Sequence, residues 1–274
     1  MPVDPSQPRQ ILVVHGVQSG TDAEIKSDAM IRALVRKHLN GIPIHFDASM
    51  YGYENLNDAA RGKLQALLRL VVDALARQIP LGNVVVGAVH SALDMVEDVV
   101  LALQNDTTAA QIRAGLRARI LETYLSDHAP PLYLVAHSLG TVYALDVVNE
   151  LIRTRPHGVF DRDRRKTWPV QGLVTLGSPL GLSMFSRGRA LAPFGPGRKW
   201  FRWFNYWCRT DPVVSGSFYG QPVDGYAIAE RFPRAAGWIV HDRVLDPGVA
   251  WLPAHSAYWS HSPLGDDLVT FISS

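Results

Sequence analysis

Three features of the sequence predict an α/β domain with a mostly parallel central sheet and helices on both faces. Short, β-rich apolar runs alternate with segments of helical periodicity, the pattern of parallel strands joined by helical crossovers. The 274 residues, 47% of them hydrophobic, suit one large domain able to bury a continuous core. Finally, the stretch PLYLVAHSLGTVYAL, residues 131–145, passes from a buried strand into a helix through a short polar bend.

The elements follow in order. QILVVHGV (10–17) is short, β-rich and ends near Gly16, so it reads as a buried strand. Thr21, with Glu24 three residues on, opens a helix by a capping box, and apolar residues then recur at helical spacing. GIPIHFDASMYGY holds a second strand and leads into an aromatic loop. Residues 57–124 are mostly helical in pattern, with breaks expected at Pro80-Leu81-Gly82 and near residues 105–108. PLYLVAHS is a third strand. The helix after it carries Val142, Leu145, Val148, Leu151 and Ile152 on one side. VQGLVTLGSP is a fourth strand, KWFRWFNYWCRTDPV contains a fifth and GWIVHDRVLD a sixth. A last helix covers residues 264–272. The whole chain, 1–274, reads as a single domain. It carries a helical insertion at about residues 56–126, between the second and third predicted strands, and a lid loop at about residues 183–202.

Composition removes several function classes. A formal net charge of +2 is too small for a nucleic-acid binder. One cysteine, Cys208, excludes an internal disulfide and is expected as a buried, inert thiol. The N-terminus MPVDPSQPRQ lacks the basic and apolar regions of a secretory signal, so cytoplasmic residence is the default, with signal-independent export left open. The most apolar stretch, residues 84–103, carries His90, Asp94, Glu97 and Asp98, each costly at membrane depth. It is expected as a buried helix. No metal-ligand spacing and no phosphate-binding glycine loop occur, so no cofactor is expected.

The bend in AHSLG is the centre of the functional argument. At the carboxyl end of a parallel strand, a sharp strand-to-helix turn lifts its serine into the open. Such a turn crowds the positions two before and two after Ser138, and these are the small residues Ala136 and Gly140. Leu139 follows at a helix N-terminus, where its N–H faces developing negative charge. A second donor is expected from the loop after the first strand. Gly16 lets the chain turn close to the site, and the N–H of Val17 or Gln18 can point inward, Val17 being preferred. A serine needs a base held by a carboxylate. In chain order the acid candidates are Asp211, with Asp224 and Asp246 as rivals. The base candidates are His241, His255 and His261. Asp211 is preferred because it follows an aromatic strand and precedes the turn residue Pro212. His255 is preferred because it lies in a loop between the last strand and the last helix. His241 falls inside a strand pattern, and His261 is placed as a cap or surface residue. His137 is expected to be structural or to line the pocket, and Asp47, Tyr51 and Tyr53 follow the second strand as further lining candidates. Ser178 is rejected as a nucleophile because Pro179 turns the chain there.

HGV, AHSLG, LGSPLG, RTDPVVSG and HSAYW, in that order from residue 15 to 259, resemble the α/β-hydrolase superfamily, especially its lipase-like members. LGSPLG is similar to a segment of GPI-inositol deacylase-like lipases. The resemblance implies an α/β-hydrolase fold and a Ser138-Asp211-His255 triad, with Leu139 and Val17 forming an oxyanion hole. Gly16, Gln18, His137 and Tyr51 are the substrate-binding candidates. The expected activity is esterase- or lipase-like cleavage of a carboxylic ester through an acyl-enzyme. The alternatives are a membrane-surface phospholipase, an acyltransferase on the same site, or a non-catalytic scaffold that binds a ligand or protein. The basic and aromatic residues of 184–204 motivate the membrane alternative, against which stands a solvated loop running into a strand.

Overall fold

The computed structural model describes residues 8–14, 21–38, 46–51, 107–125, 130–154, 170–186, 188–193, 201–215, 228–232, 235–249, 254–255 and 257–273. Among these residues six strands form one parallel sheet: β1 (Arg9–Val14), β2 (Phe46–Tyr51), β3 (Leu132–His137), β4 (Val170–Leu176), β5 (Phe201–Trp207) and β6 (Trp238–Val244). Their spatial order is β2-β1-β3-β4-β5-β6. The principal helices are α1 (Thr21–His38), α2 (Thr107–Leu125), α3 (Gly140–Thr154) and α4 (Ser262–Ser273).

The strands read as nearly unbroken apolar runs because both faces of the sheet are covered. Leu12, Val14, Leu134, Ala136, Leu173 and Trp203 point to one side and pack with α2 and α3. The alternate residues Ile11, Val13, Tyr133, Val135, Val174, Leu176 and Tyr206 point to the other and pack with α1 and α4. All six residues of β3, at the middle of the sheet, are buried. Helices thus lie on both faces of a parallel sheet, the α/β architecture that the sequence predicts.

Of the segment expected as a helical insertion, residues 107–125 are described. Its last part is α2, and Leu116, Ile120, Leu121 and Tyr124 of this helix join the main core beside α3. Residues 107–125 are therefore a layer of the domain, while residues 52–106, the apolar stretch 84–103 included, lie outside the described residues. Among the described residues no helix is long and apolar enough to cross a membrane.

In the segment expected as a lid, the described residues are strapped onto α3. Arg189 forks onto Asp146 of α3 through two hydrogen bonds, of 2.8 and 3.2 Å. Asn149 of α3 donates to the Ala190 carbonyl at 2.8 Å and accepts from the Ala192 N–H at 2.7 Å. Trp238 closes the same strap by donating to the Ala192 carbonyl. Arg202 already lies in β5, and Trp203 is fully buried. Backbone donors that cannot reach a strand partner are here satisfied by α3 side chains, which hold residues 188–193 down. Residues 187 and 194–200 lie outside the described residues.

The last helix reaches its place through glycine. Gly172 of β4 carries the Phe271 ring on bare backbone, where a Cβ would overlap it. Phe271 meets Tyr133 and Phe204 edge-on, with centroids at 5.2 and 4.9 Å. Gly265 likewise lets α4 press against Leu34 and His38 of α1.

The topology sets where a ligand can lie. From β1 the chain moves to β2 on one side, and β3 lies on the other. In such sheets the crevice opens at the carboxyl ends of the strands where the order reverses. Val14 pairs with Ala136, so β1 and β3 end almost level. The AHSLG bend therefore sits at the switch point.

Candidate active site

Ser138 leaves β3 with φ 55°, and among the described residues no other non-glycine residue has a positive φ. A left-handed serine costs of order 1–3 kcal/mol and persists only where neighbours enforce it. Its N–H donates to the Leu176 carbonyl at 3.0 Å, extending the β3–β4 ladder by one step. Its carbonyl accepts from both the N–H and the hydroxyl of Thr141, at 3.0 and 2.6 Å. Because Thr141 has spent its one hydroxyl proton there, Ser178 must donate to Thr141 across their 2.7 Å contact. Ser178 in turn accepts from the Leu180 N–H and caps the short 3-10 turn Pro179–Gly181. Ser178 is thus a buried buttress of the bend, in keeping with its rejection as a nucleophile. Leu139 stands between Ser138 and the first residue of α3, where helix N–H groups have no acceptor within the helix.

Asp211 and His255 meet. His255 Nδ1 lies 2.9 Å from Asp211 Oδ2, and the carboxyl is fully buried. A carboxylate only accepts, so Nδ1 carries the proton and Nε2 is left as the basic nitrogen. Asp211 Oδ1 accepts from the Val213 N–H at 2.9 Å, the turn that Pro212 initiates. Tyr258 donates a second hydrogen bond to Oδ2 at 2.7 Å while accepting from the Cys208 N–H. Burial, and then the neighbouring Asp211 carboxylate, push the Tyr258 phenol well above the ordinary tyrosine value, so it stays a donor.

His137 links the nucleophile side to the base side. It is 1% exposed. Its Nε2 lies 2.7 Å from the His255 carbonyl, an acceptor, and therefore donates. The two imidazoles lie 4.6 Å apart, and Trp259 packs on the far ring at 5.2 Å. Since Ser138 follows His137 directly, the segment that carries the base is tied to the residue beside the serine. This geometry favours the structural side of the expectation for His137 over contact with a substrate. Gly177, next after β4, completes the cluster. It has φ 56°, and a Cβ there would stand 2.9–3.1 Å from Tyr258, Asp211 Oδ2 and His255 Cε1. Only glycine meets both demands.

The remaining candidates fall elsewhere. His241 is on the edge strand β6, exposed, and stacks on Phe204 at 4.8 Å. His261 accepts from the Leu264 N–H through its carbonyl and opens α4. Asp246 serves an exposed turn by accepting from the Gly248 N–H. Tyr51 ends β2, with its neighbours Asp47 in the strand and Tyr53 beyond the described residues. Gly16, Val17, Gln18 and Asp224 also lie outside the described residues. Cys208 is buried just past β5, as expected of an inert thiol. Among the described residues no group of three His, Cys, Asp or Glu is placed to hold a metal ion. Sequence reasoning missed Tyr258 and Gly177, although both stand inside quoted motifs, HSAYW and LGSPLG.

No family model and no curated protein matches the chain. Solved structures align over its full length at low similarity. The thioesterase RedJ from the prodiginine pathway of Streptomyces coelicolor aligns at 12% identity and a TM-score of 0.40, over 92% of that chain. Est1E from Butyrivibrio proteoclasticus aligns at 11% identity and 0.39, over 93% of its chain.

Proposed function

We propose that this chain is a serine hydrolase of carboxylic esters, esterase- or lipase-like. One observation carries the reading: a serine held in the left-handed region at a switch point, one residue from a histidine that grips the His255–Asp211 pair. Strain of this kind points to use, because folding gains nothing from it. Ser138 attacks the ester carbonyl, and His255 Nε2 takes its proton and returns it to the leaving alcohol. Asp211 keeps the tautomer and stabilises the imidazolium. The N–H groups of Leu139 and Val17 hold the tetrahedral oxyanion. Water then releases the acyl group, and an alcohol in its place would make the reaction an acyl transfer. The narrower likeness to GPI-inositol deacylase-like lipases rests on LGSPLG, whose Gly177 and Ser178 serve the site as described. The membrane-surface variant draws no support from Arg189 and Trp203, which turn inward.

The test is covalent labelling with a fluorophosphonate probe, followed by a series of nitrophenyl esters of rising chain length. Wild type should be labelled and should hydrolyse at least one ester, while Ser138→Ala and His255→Ala should do neither. Equal labelling of Ser138→Ala would relocate the nucleophile. An unlabelled, inactive wild type would favour the scaffold reading.

A further inference from the structure

We propose that Tyr258 is a positioning residue that sets the basicity of His255 by sharing the carboxylate oxygen on which His255 depends. This rests on the reading of Ser138, Asp211 and His255 given above and deepens it. Oδ2 of Asp211 takes the Tyr258 O–H at 2.7 Å and the His255 Nδ1–H at 2.9 Å. The acid is fully buried, so no solvent dilutes this competition. Each donor to a carboxylate oxygen spreads part of its charge. With Tyr258 in place, the imidazolium formed when His255 takes a proton faces a weaker counter-charge than a bare carboxylate would offer. The base thereby has a lower proton affinity than Asp211 alone would give it.

The geometry that allows this is specific. Tyr258 stands three residues after His255, on the 3-10 turn Ala257–Ser260, so the segment that supplies the base also supplies its moderator. The Cys208 N–H donates to the phenol oxygen at 3.0 Å, which aims the O–H at Asp211 and strengthens it as a donor. Gly177 permits all three side chains to converge. The titratable groups facing the pair are His137 from β3, Tyr258 itself and the Cys208 thiol at the end of β5. His137 donates its Nε2–H to the His255 carbonyl.

The experiment is an NMR titration of imidazole-labelled protein, with the His255 signal assigned by its loss in His255→Ala. In Tyr258→Phe the His255 midpoint should rise by about half to one pH unit. The acid limb of kcat/KM on a nitrophenyl ester should move with it, while KM stays within about twofold. A purely structural role would lower activity at every pH and leave the midpoint in place, and that result overturns the proposal. Site-specific 3-fluorotyrosine at position 258 keeps the ring and hydroxyl but donates more strongly. Its midpoint should fall below wild type, and no fall would equally overturn the proposal, even if Tyr258→Phe does not fold. The two readings fail separately. A moved midpoint in a protein that no fluorophosphonate labels would sink the hydrolase and leave the role of Tyr258. A labelled protein with a fixed midpoint would sink only the role of Tyr258.

Discussion

The molecule contains a second set of the same residue types. At the seam of α1 and α4, His38 Nδ1 meets Asp266 Oδ1, and the Ser262 hydroxyl lies 3.1 Å from His38 Nε2. The hydrogen-bond polarity is the one expected of a catalytic relay, because the carboxylate fixes the tautomer and the far nitrogen accepts. Yet the surroundings differ at each member. The Asp266 side chain is 64% exposed, whereas that of Asp211 is fully buried. Asp211 takes three hydrogen bonds from Val213, His255 and Tyr258. Ser262 opens a helix at the surface, whereas Ser138 is bent into the left-handed region at the switch point. The contrast teaches that a serine, a histidine and an aspartate in contact do not make a site. Burial, a second layer of donors and a strained serine set the proposed site apart, and all three depend on distant parts of the chain.

The largest expected effect breaks the comparison outright. Ser138→Ala should lower ester hydrolysis by at least about 10³-fold, while Ser262→Ala should leave it within about twofold. Comparable losses in both variants would mean that the surface set takes part in the chemistry. Next comes the converging glycine. Gly177→Ala adds a methyl between Asp211, His255 and Tyr258 at a positive φ. It should cost about 10²-fold in kcat and about 1–3 kcal/mol in stability, read by steady-state kinetics and urea melts.

A third prediction concerns alkali. Burial pushes the pKa of Tyr133, Tyr143, Tyr206 and Tyr258 above the ordinary tyrosine value, with Asp267 adding at Tyr206 and Asp211 at Tyr258. The unfolded chain ionises its tyrosines near pH 10 while the folded one holds them protonated. Their contribution is therefore complete below about pH 10 and is lost as pH climbs towards the folded values. Urea midpoints should fall between pH 9 and pH 11, less steeply in Tyr258→Phe than in wild type, and unchanged in slope by Asp266→Asn. The smallest effect is that of Asp266→Asn itself. A hydrogen bond onto so exposed a carboxylate is worth about 0–1 kcal/mol, so its melting temperature at neutral pH should stay close to wild type.

Much of this was legible along the chain, for reasons that can be named. A strand covered on both faces must be apolar throughout, and LYLVAH and VQGLVTL announce themselves in that way. A serine bend must have small flanks, and Ala136 and Gly140 supply them. Asp211 was legible because a strand end and Pro212 bracket it. Tyr258 was not, since a tyrosine three residues past a histidine has many uses, and only the return of its segment onto the end of β5 selects one. Gly177 was hidden likewise, as its neighbours come from residues 211, 255 and 258. The place of α2 in the core had no local mark, because its core-facing residues differ little from those of any buried helix. The basic residue Arg189 suggested an open surface, but its partner Asp146 lies 43 positions earlier.

The glycine seat under Phe271 has a consequence for the order of assembly. Asp211 and His255 are contributed by the last quarter of the chain, and α4 can lock on only when β4 is in place to offer Gly172. The segment that carries the candidate base is therefore backed by its covering helix only after β4 has joined the sheet. Clipping residues 262–273 is then expected to leave Gly172 bare and one face of the sheet without its cover.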